Sequence, residues 1–180
     1  HPRLLLDQSD LSSAKFEAFF ELLEDLRAGR HRCLVFSQFT KLLDLLEAEL
    51  RVRELVYLRL DGSTPVAERR RRVQAFQGGE GELFLISLKA GGTGLNLTAA
   101  DYVVHLDPWW NPASEDQASD RAHRLGQTRP VTIYRLIARD TVEEKVVHLH
   151  GQKRQLAQDL LAGRERPEPL SAHEIRQLLL

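Results

Sequence analysis

Two arginines set three residues apart, Arg121 and Arg124, carry the strongest chemical signal in the sequence. They lie in WWNPASEDQASDRAHRLGQ, from Trp109 to Gln127, which has almost no large apolar residue after its two tryptophans. Asn111 suits a helix N-cap and Pro112 the first helical position, where a missing N–H costs nothing. Glu115 and Asp116 follow near the helix start, where carboxylates complement the dipole. With a helix running to about residue 124, Gln117, Arg121 and Arg124 fall at i, i+4 and i+7 on one face. Ala118, Ala122 and Leu125 share that spacing on a neighbouring face, which reads as the packing side. Two guanidinium forks beside an amide suit the oxygens of a phosphate. A solvated helix whose arginines pair with Asp116 or Asp120 explains the same pattern, so the rest of the chain has to decide.

At 180 residues the chain can bury one sizeable core, and nothing in it marks a second domain. Lys and Arg number 25 against 26 Asp and Glu, a formal net charge of −1. That excludes a domain coated in positive charge and permits a local basic strip. Cys33, the sole cysteine, sits in an apolar run; it supports neither a disulfide nor a zinc site and fits a reducing compartment. There is no apolar run of spanning length and no signal peptide, so neither membrane nor export is expected. The chain opens at His1 and has no methionine, which predicts a piece of something longer. Arginine outnumbers lysine and leucine is abundant, which points to a GC-rich microbial source.

Cys33 to Phe36, Leu55 to Leu60, Leu83 to Ile86, Tyr102 to Leu106 and Val131 to Ile137 read as strands, the first apolar throughout as in strands buried on both faces. A helix is expected from Ser12 or Ser13 to about Ala28, with Phe16, Phe19, Phe20, Leu23 and Leu26 as its stripe and Gly29 as its stop. Thr40 opens a second, with Leu42, Leu43, Leu45, Leu46 and Leu50. Pro65 begins a third, with Val66, Val73 and Phe76 inward and Arg69 to Arg72 mostly outward. Thr141 and Glu144 form a capping box for a long helix ending near Gly163, striped by Val142, Val146, Leu149, Leu156 and Leu160. A connector from Arg164 to Pro169 and a last helix from Ser171 complete the chain. The alternation predicts an α/β fold, a parallel sheet with helices on both faces. Ligands of such sheets gather where strands run into loops. Ser37-Gln38, Asp61-Gly62-Ser63, Lys89 to Gly94 and Asp107 to Asn111 all fall there.

A phosphate loop of the Walker type needs Gly-Lys followed by Ser or Thr, and the chain contains no Gly-Lys pair. No Asp-Glu pair follows a strand to hold magnesium. The seven histidines form no metal pattern, and no Ser/His/Asp arrangement can be argued. Acting alone, the chain lacks essential parts of an enzyme. Its arginine pair could still serve a phosphoryl transfer whose nucleotide sits elsewhere, where such a finger supplies about a thousandfold or more.

Ser37-Gln38-Phe39, Leu60-Asp61-Gly62-Ser63-Thr64, SLKAGGTGLNL (Ser87 to Leu97), DPWWNP (Asp107 to Pro112) and QASDRAHRLGQ (Gln117 to Gln127) occur in that order. Together they resemble the second RecA-like lobe of the Swi/Snf-type DNA translocases of helicase superfamily two. The likeness runs from His1 to about Leu160 and includes Thr141-Val142-Glu143-Glu144-Lys145. It implies a three-layer RecA-like domain over 1–162 whose long brace helix covers about 141–162. A charged, Pro-containing linker and short helix would follow over 163–180. Ala14 stands where such proteins often have glycine, a departure that affects local geometry only.

The resemblance also implies roles. Arg121 and Arg124 match the arginine fingers, Gln117 their polar companion, and Gly92 and Gly94 the backbone that approaches the nucleotide. DNA contacts would fall to Gln38, to Asp61, Gly62 and Ser63, to Lys89, Ala90, Gly91 and Asn96, and to Trp110. Within the run from Arg69 to Arg72, read as a solvated face, Arg69 is the best placed for a phosphate. Trp109 reads equally well as packing, and Asp61-Gly62 alone is an ordinary turn. ATP and Mg would be held mainly by an upstream RecA-like lobe of the same polypeptide, so this chain alone would not turn over ATP and carries no metal site. Double-stranded DNA and that lobe are the expected partners, with a transcription or repair factor beyond them. The location would be cytoplasmic and nucleoid-associated for a microbial source, nuclear for a eukaryotic one. A non-catalytic binding module and a lobe of a strand-separating helicase are the alternatives.

Overall fold

Strands that are apolar on both faces are driven to the middle of a sheet, because either face left open would meet water. β1 (Cys33–Ser37) and β3 (Leu83–Ser87) are of this kind; every residue in them is buried, and they pair in parallel at the centre. The computed structural model describes residues 13–90 and 94–161. β2 (Tyr57–Leu60) flanks β3, while β4 (Tyr102–His105) and β5 (Thr132–Arg135) extend the sheet beyond β1. The order is β2-β3-β1-β4-β5, with all neighbours parallel. The expected α/β sheet is therefore present, and its strands end level: Ser37 lies opposite Ser87, and Phe36 opposite both Ile86 and His105.

Five helices accompany the strands among the described residues: α1 (Ala14–Ala28), α2 (Thr40–Val52), α3 (Val66–Gln77), α4 (Pro112–Ser119) and α5 (Val142–Leu161). Strand side chains alternate between faces. Cys33, Val35, Leu85 and Val104 pack with Phe19 of α1 and Leu43 and Leu46 of α2. Leu34, Phe36, Phe84 and Ile86 pack with Phe76 of α3 and Ala118 of α4. Each large side chain fully buried contributes roughly 2 kcal/mol. Uncovering either face would thus exceed the ~5–15 kcal/mol of net stability usual for a domain.

Several boundaries differ from expectation for identifiable reasons. Leu55 belongs to the end of α2 rather than to β2: its amide donates to the Leu50 carbonyl, with Glu54 at φ 55°. α1 ends at Ala28 with Gly29 as its C-cap, as expected, although Arg30 rather than the glycine takes the left-handed conformation; a Cβ at Gly29 would stand 2.4 Å from the His31 ring. Val66 points outward at the start of α3 (83% exposed), while Phe76 is buried as expected. Thr141 accepts the Glu143 amide, but Glu144 accepts that of Asp140, a displaced form of the capping box. Val146 is buried and Val142 is not. The linker and short helix placed at 163–180 lie outside the described residues.

The largest correction concerns α4. Asn111 caps it as expected, accepting the Ala113 amide, with Pro112 in the first turn. The helix nevertheless stops at Ser119, not near residue 124, so Gln117, Arg121 and Arg124 do not share one helical face. The Leu97 amide takes the Arg121 carbonyl at 3.0 Å, and Gln127 Nε2 lies 3.2 Å from that of Ala122 and 2.7 Å from that of Ala100. Of the carbonyls that a longer helix would need, that of Arg121 is thus engaged by the loop after β3 and that of Ala122 by Gln127. Ala118 and Ala122 pack as expected, but Leu125, expected beside them, is fully exposed.

Candidate functional site

Because the strands are parallel and end level, the loops leaving β1, β2, β3 and β4 converge on one rim. At the end of β1 the Ser37 hydroxyl donates to Asp107 Oδ2 (2.5 Å) and the Gln38 amide to Asp107 Oδ1 (3.0 Å). The Gln38 side chain donates to the Pro108 carbonyl (3.1 Å), which welds this loop to the one after β4. Burial raises the Asp107 carboxyl above its ordinary range, although these hydrogen bonds and the charge of Lys15 oppose the shift.

After β2, Asp61 folds its own turn. Its carboxylate accepts from the Ser63 amide (2.9 Å), the Ser63 hydroxyl (2.6 Å) and Arg59 Nε (3.0 Å). Burial would raise this carboxyl, but those partners hold it below the usual range. Gly62 and Ser63 stay exposed. Arg69 reaches back from α3, donating to the carbonyls of Thr64 (2.8 Å), Asp61 (3.2 Å) and Gly62 (3.3 Å), with Ala90 at 3.5 Å. Arg69 therefore ties the loop after β2 to the loop after β3. In the latter, Lys89 is exposed and Ala90 buried, while Gly91 and Gly92 lie outside the described residues. Gly94 has φ +50° with nothing within 4 Å of a Cβ placed on it, and Asn96 is exposed beyond it.

The loop after β4 is clamped from two helices. The Trp109 amide donates to Glu115 Oε1 (2.7 Å), and the Trp109 carbonyl is in contact with His150 Nε2 of α5. Glu115, fully buried, is paired through its other oxygen with Arg135 Nε of β5 (2.8 Å). With the backbone on both sides of Trp109 held in this way, Trp110 stands at the surface, 49% exposed. Gln117 is exposed on α4.

The two arginines differ sharply. Arg124 is exposed and donates to the Gly94 carbonyl (3.1 Å). Arg121 is only 4% exposed, and its Nη1 meets no hydrogen-bond partner among the described residues. Burial, reinforced by the nearby charge of Arg124, pulls its pKa to about 10. It stays protonated at neutral pH against a cost on the order of 3 kcal/mol. The sequence allowed these arginines to pair with Asp116 or Asp120; no such ion pair of Arg121 is present among the described residues. A buried cation without a counter-ion among the described residues suits an anion that arrives from outside. Sequence reasoning placed Asp107 in a rim loop without its tie to Ser37 and Gln38, and missed Glu115 and His150 as site-shaping groups, since their partners Arg135 and Trp109 are brought to them by the fold.

Comparison with known proteins bears on what this rim is. The helicase conserved C-terminal domain model matches residues 14–126. Three relatives named chromatin-remodeling ATPase INO80 align over most of the chain. That of Cryptococcus neoformans var. neoformans serotype D (strain B-3501A) is 48% identical over 89% of this chain and 9% of its own length. That of Arabidopsis thaliana is 49% identical over 84% and 10%, and that of Homo sapiens 44% over 93% and 11%. The chain thus spans about a tenth of the length of these relatives. The crystal structure of the C-terminal part of the Fun30 ATPase domain superposes with a TM-score of 0.74 at 41% identity, covering 77% of this chain and 45% of that one. The relatives come from eukaryotes, so a microbial source with a cytoplasmic, nucleoid-associated location gains no support. By sequence and fold alike, the chain belongs to the helicase conserved C-terminal domain family, as a second RecA-like lobe of the Swi/Snf type.

Proposed function

We propose that this chain is the second motor lobe of an ATP-driven, double-stranded DNA translocase that works on chromatin in the nucleus. Its nucleotide would lie between this rim and an upstream lobe that also binds Mg. The observation that carries the reading is Arg121: a buried, protonated guanidinium with no carboxylate partner among the described residues, next to Arg124 on the Gly94 loop. The residues present fit a polyphosphate in that position. Arg121 has an unmatched donor, and Gly94 leaves open space beside its backbone. MgATP supplies, when bound, the anhydride bond whose hydrolysis drives the cycle.

Arg121 and Arg124 neutralise the charge that develops during transfer, and a preorganised guanidinium in a water-poor site acts there more strongly than in solution. Gln117, and Gly92 in the same loop as Gly94, complete the nucleotide side. On the DNA side, Gln38, Asp61, Gly62, Ser63, Lys89, Ala90, Gly91, Asn96 and Trp110 form the track. The exposed members, Lys89 foremost, meet phosphates, whereas Arg69 serves chiefly to hold two of the track loops in register. Such contacts read backbone rather than bases, so binding is salt-sensitive and weakly sequence-dependent. With a net charge of −1, this chain alone should bind DNA weakly.

The test joins this chain to its upstream lobe and compares DNA-stimulated ATPase of the wild type with Arg121→Ala and Arg124→Ala. A loss on the order of a hundredfold or more is expected for each, with the fold intact. Rates within about threefold of wild type for both variants would end the motor reading.

A further inference from the structure

Phe36 closes the apolar part of β1 directly opposite His105 in the register with β4. Their rings stack with centroids 5.5 Å apart and planes 21° from parallel. The guanidinium carbon of Arg121 lies 5.7 Å from the Phe36 centroid. All three side chains are buried. The backbone of Arg121 is fixed by the Leu97 amide on its carbonyl, but its Nη1 has no partner among the described residues. The face of Phe36 lies beside that charged end.

That choice of support has a chemical consequence. An aromatic face attracts a cation within about 6 Å without neutralising it. A carboxylate in the same place would hold the arginine more firmly, but it would cancel the charge and compete with any phosphoryl oxygen. His105 contributes twice. Its Nε2 is 3.0 Å from the hydroxyl of Ser119, the last residue of α4 and two before Arg121, so it fixes the point from which the arginine departs. Burial also lowers its pKa to about 4, in spite of Glu115 nearby, so the imidazole itself adds no positive charge beside the guanidinium at neutral pH.

We propose that Phe36 and His105 are positioning residues for Arg121: a stacked aromatic pair, anchored to the sheet, that holds an unquenched guanidinium in the attitude from which it meets a phosphoryl group. The proposal rests on the motor reading above, and the experiment separates the two. Phe36→Leu removes the ring face while keeping most of the side-chain volume. In this chain alone, NMR of the arginine Nε–H groups should show an ordered, ring-shifted Arg121 signal. In Phe36→Leu that signal narrows and moves toward the free-arginine position, with the backbone spectrum of the fold retained.

In the two-lobe ATPase, Phe36→Leu should lower kcat by about tenfold and change KM for ATP by less than about twofold. It should also weaken binding of ADP–aluminium fluoride while leaving ADP binding unchanged, a split that a mere packing role would not produce. Adding Phe36→Leu to Arg121→Ala should cost nothing further. An Arg121 signal indifferent to Phe36→Leu, or a full additional tenfold loss in the double variant, would overturn the proposal. A normal rate in Arg121→Ala would instead sink the motor reading, and the NMR result would still judge the aromatic support.

Discussion

The two ends of β4 handle buried charge in opposite ways. Before the strand, Asp101 accepts from His31 Nδ1 (2.8 Å), the Arg32 amide (3.1 Å) and Arg129 Nη1 (2.9 Å). Burial would raise this carboxyl, yet those donors hold it below the ordinary range. Arg32 is equally well occupied, donating to the carbonyls of Gly81 and Glu80 with its guanidinium 3.9 Å from the Phe76 ring. After the strand, Asp107 is pushed upward by burial, and the nearby cation Lys15 is engaged by Glu143 and the Leu106 carbonyl. Arg121, on the same side, has no counter-ion among the described residues. One end obeys the rule that buried charges are paired; at the other, Arg121 is an exception to it among the described residues. Departures of that kind concentrate where a ligand is to be received, because the missing partner is supplied on binding.

The contrast can be attacked most forcefully at Glu115, which lies at the carboxyl end but is compensated as fully as Asp101. Glu115→Ala should destabilise this chain by about 3–5 kcal/mol, because it leaves Arg135 with only the longer Asp116 pair (3.7 Å) and strands the Trp109 amide. Urea unfolding reads the change, and a loss below ~1 kcal/mol would mean that pairing at this rim matters little. Next, Arg121→Met should stabilise the chain by about 1–3 kcal/mol, since it removes an uncompensated buried charge, while Arg32→Met should destabilise it. A matching sign for the two methionine variants would erase the distinction between the ends.

The carboxylates sharpen it through pH. The Asp101 carboxyl is depressed in the fold, so its stabilisation is present above the unfolded value, about 3.9, and is lost as pH falls through the lower folded value. Asp107 is raised, so its contribution is complete below about 3.9 and is lost as pH rises through the higher folded value. Between about pH 3 and pH 7, denaturant titrations should therefore show Asp101→Asn losing ground against wild type and Asp107→Asn gaining it. Parallel trends would contradict the assignment. The smallest effect is expected at Leu125, exposed at the tip beyond α4: Leu125→Ser should alter stability by less than about 0.5 kcal/mol.

Sequence patterns within a few residues of one another were the legible part. Unbroken apolar runs located β1 and β3, Asn111-Pro112 located the start of α4, and the rim loops were recognisable because turn-forming residues followed strand-forming ones. What was not legible came from partners far along the chain. Leu55 was claimed by the cap of α2, Glu115 by an arginine twenty residues on, and the Trp109 carbonyl by a histidine on α5. Local composition carries no trace of such pairings.

Arg121 states the division most clearly. Its type and its spacing from Arg124, the helix start ahead of it and the alanines that pack beside it are properties of the amino-acid order, because they depend on neighbours within about two helical turns. Whether its charge is quenched is not. Asp116 and Asp120 were within sequence reach, and an unbroken helix would have left the guanidinium near them in water. The Leu97 amide and Gln127 instead end the helix early and turn the chain inward, so the side chain comes to rest over Phe36. Only the packing of one loop against another could decide that, since it balances hydrogen bonds between segments more than twenty residues apart.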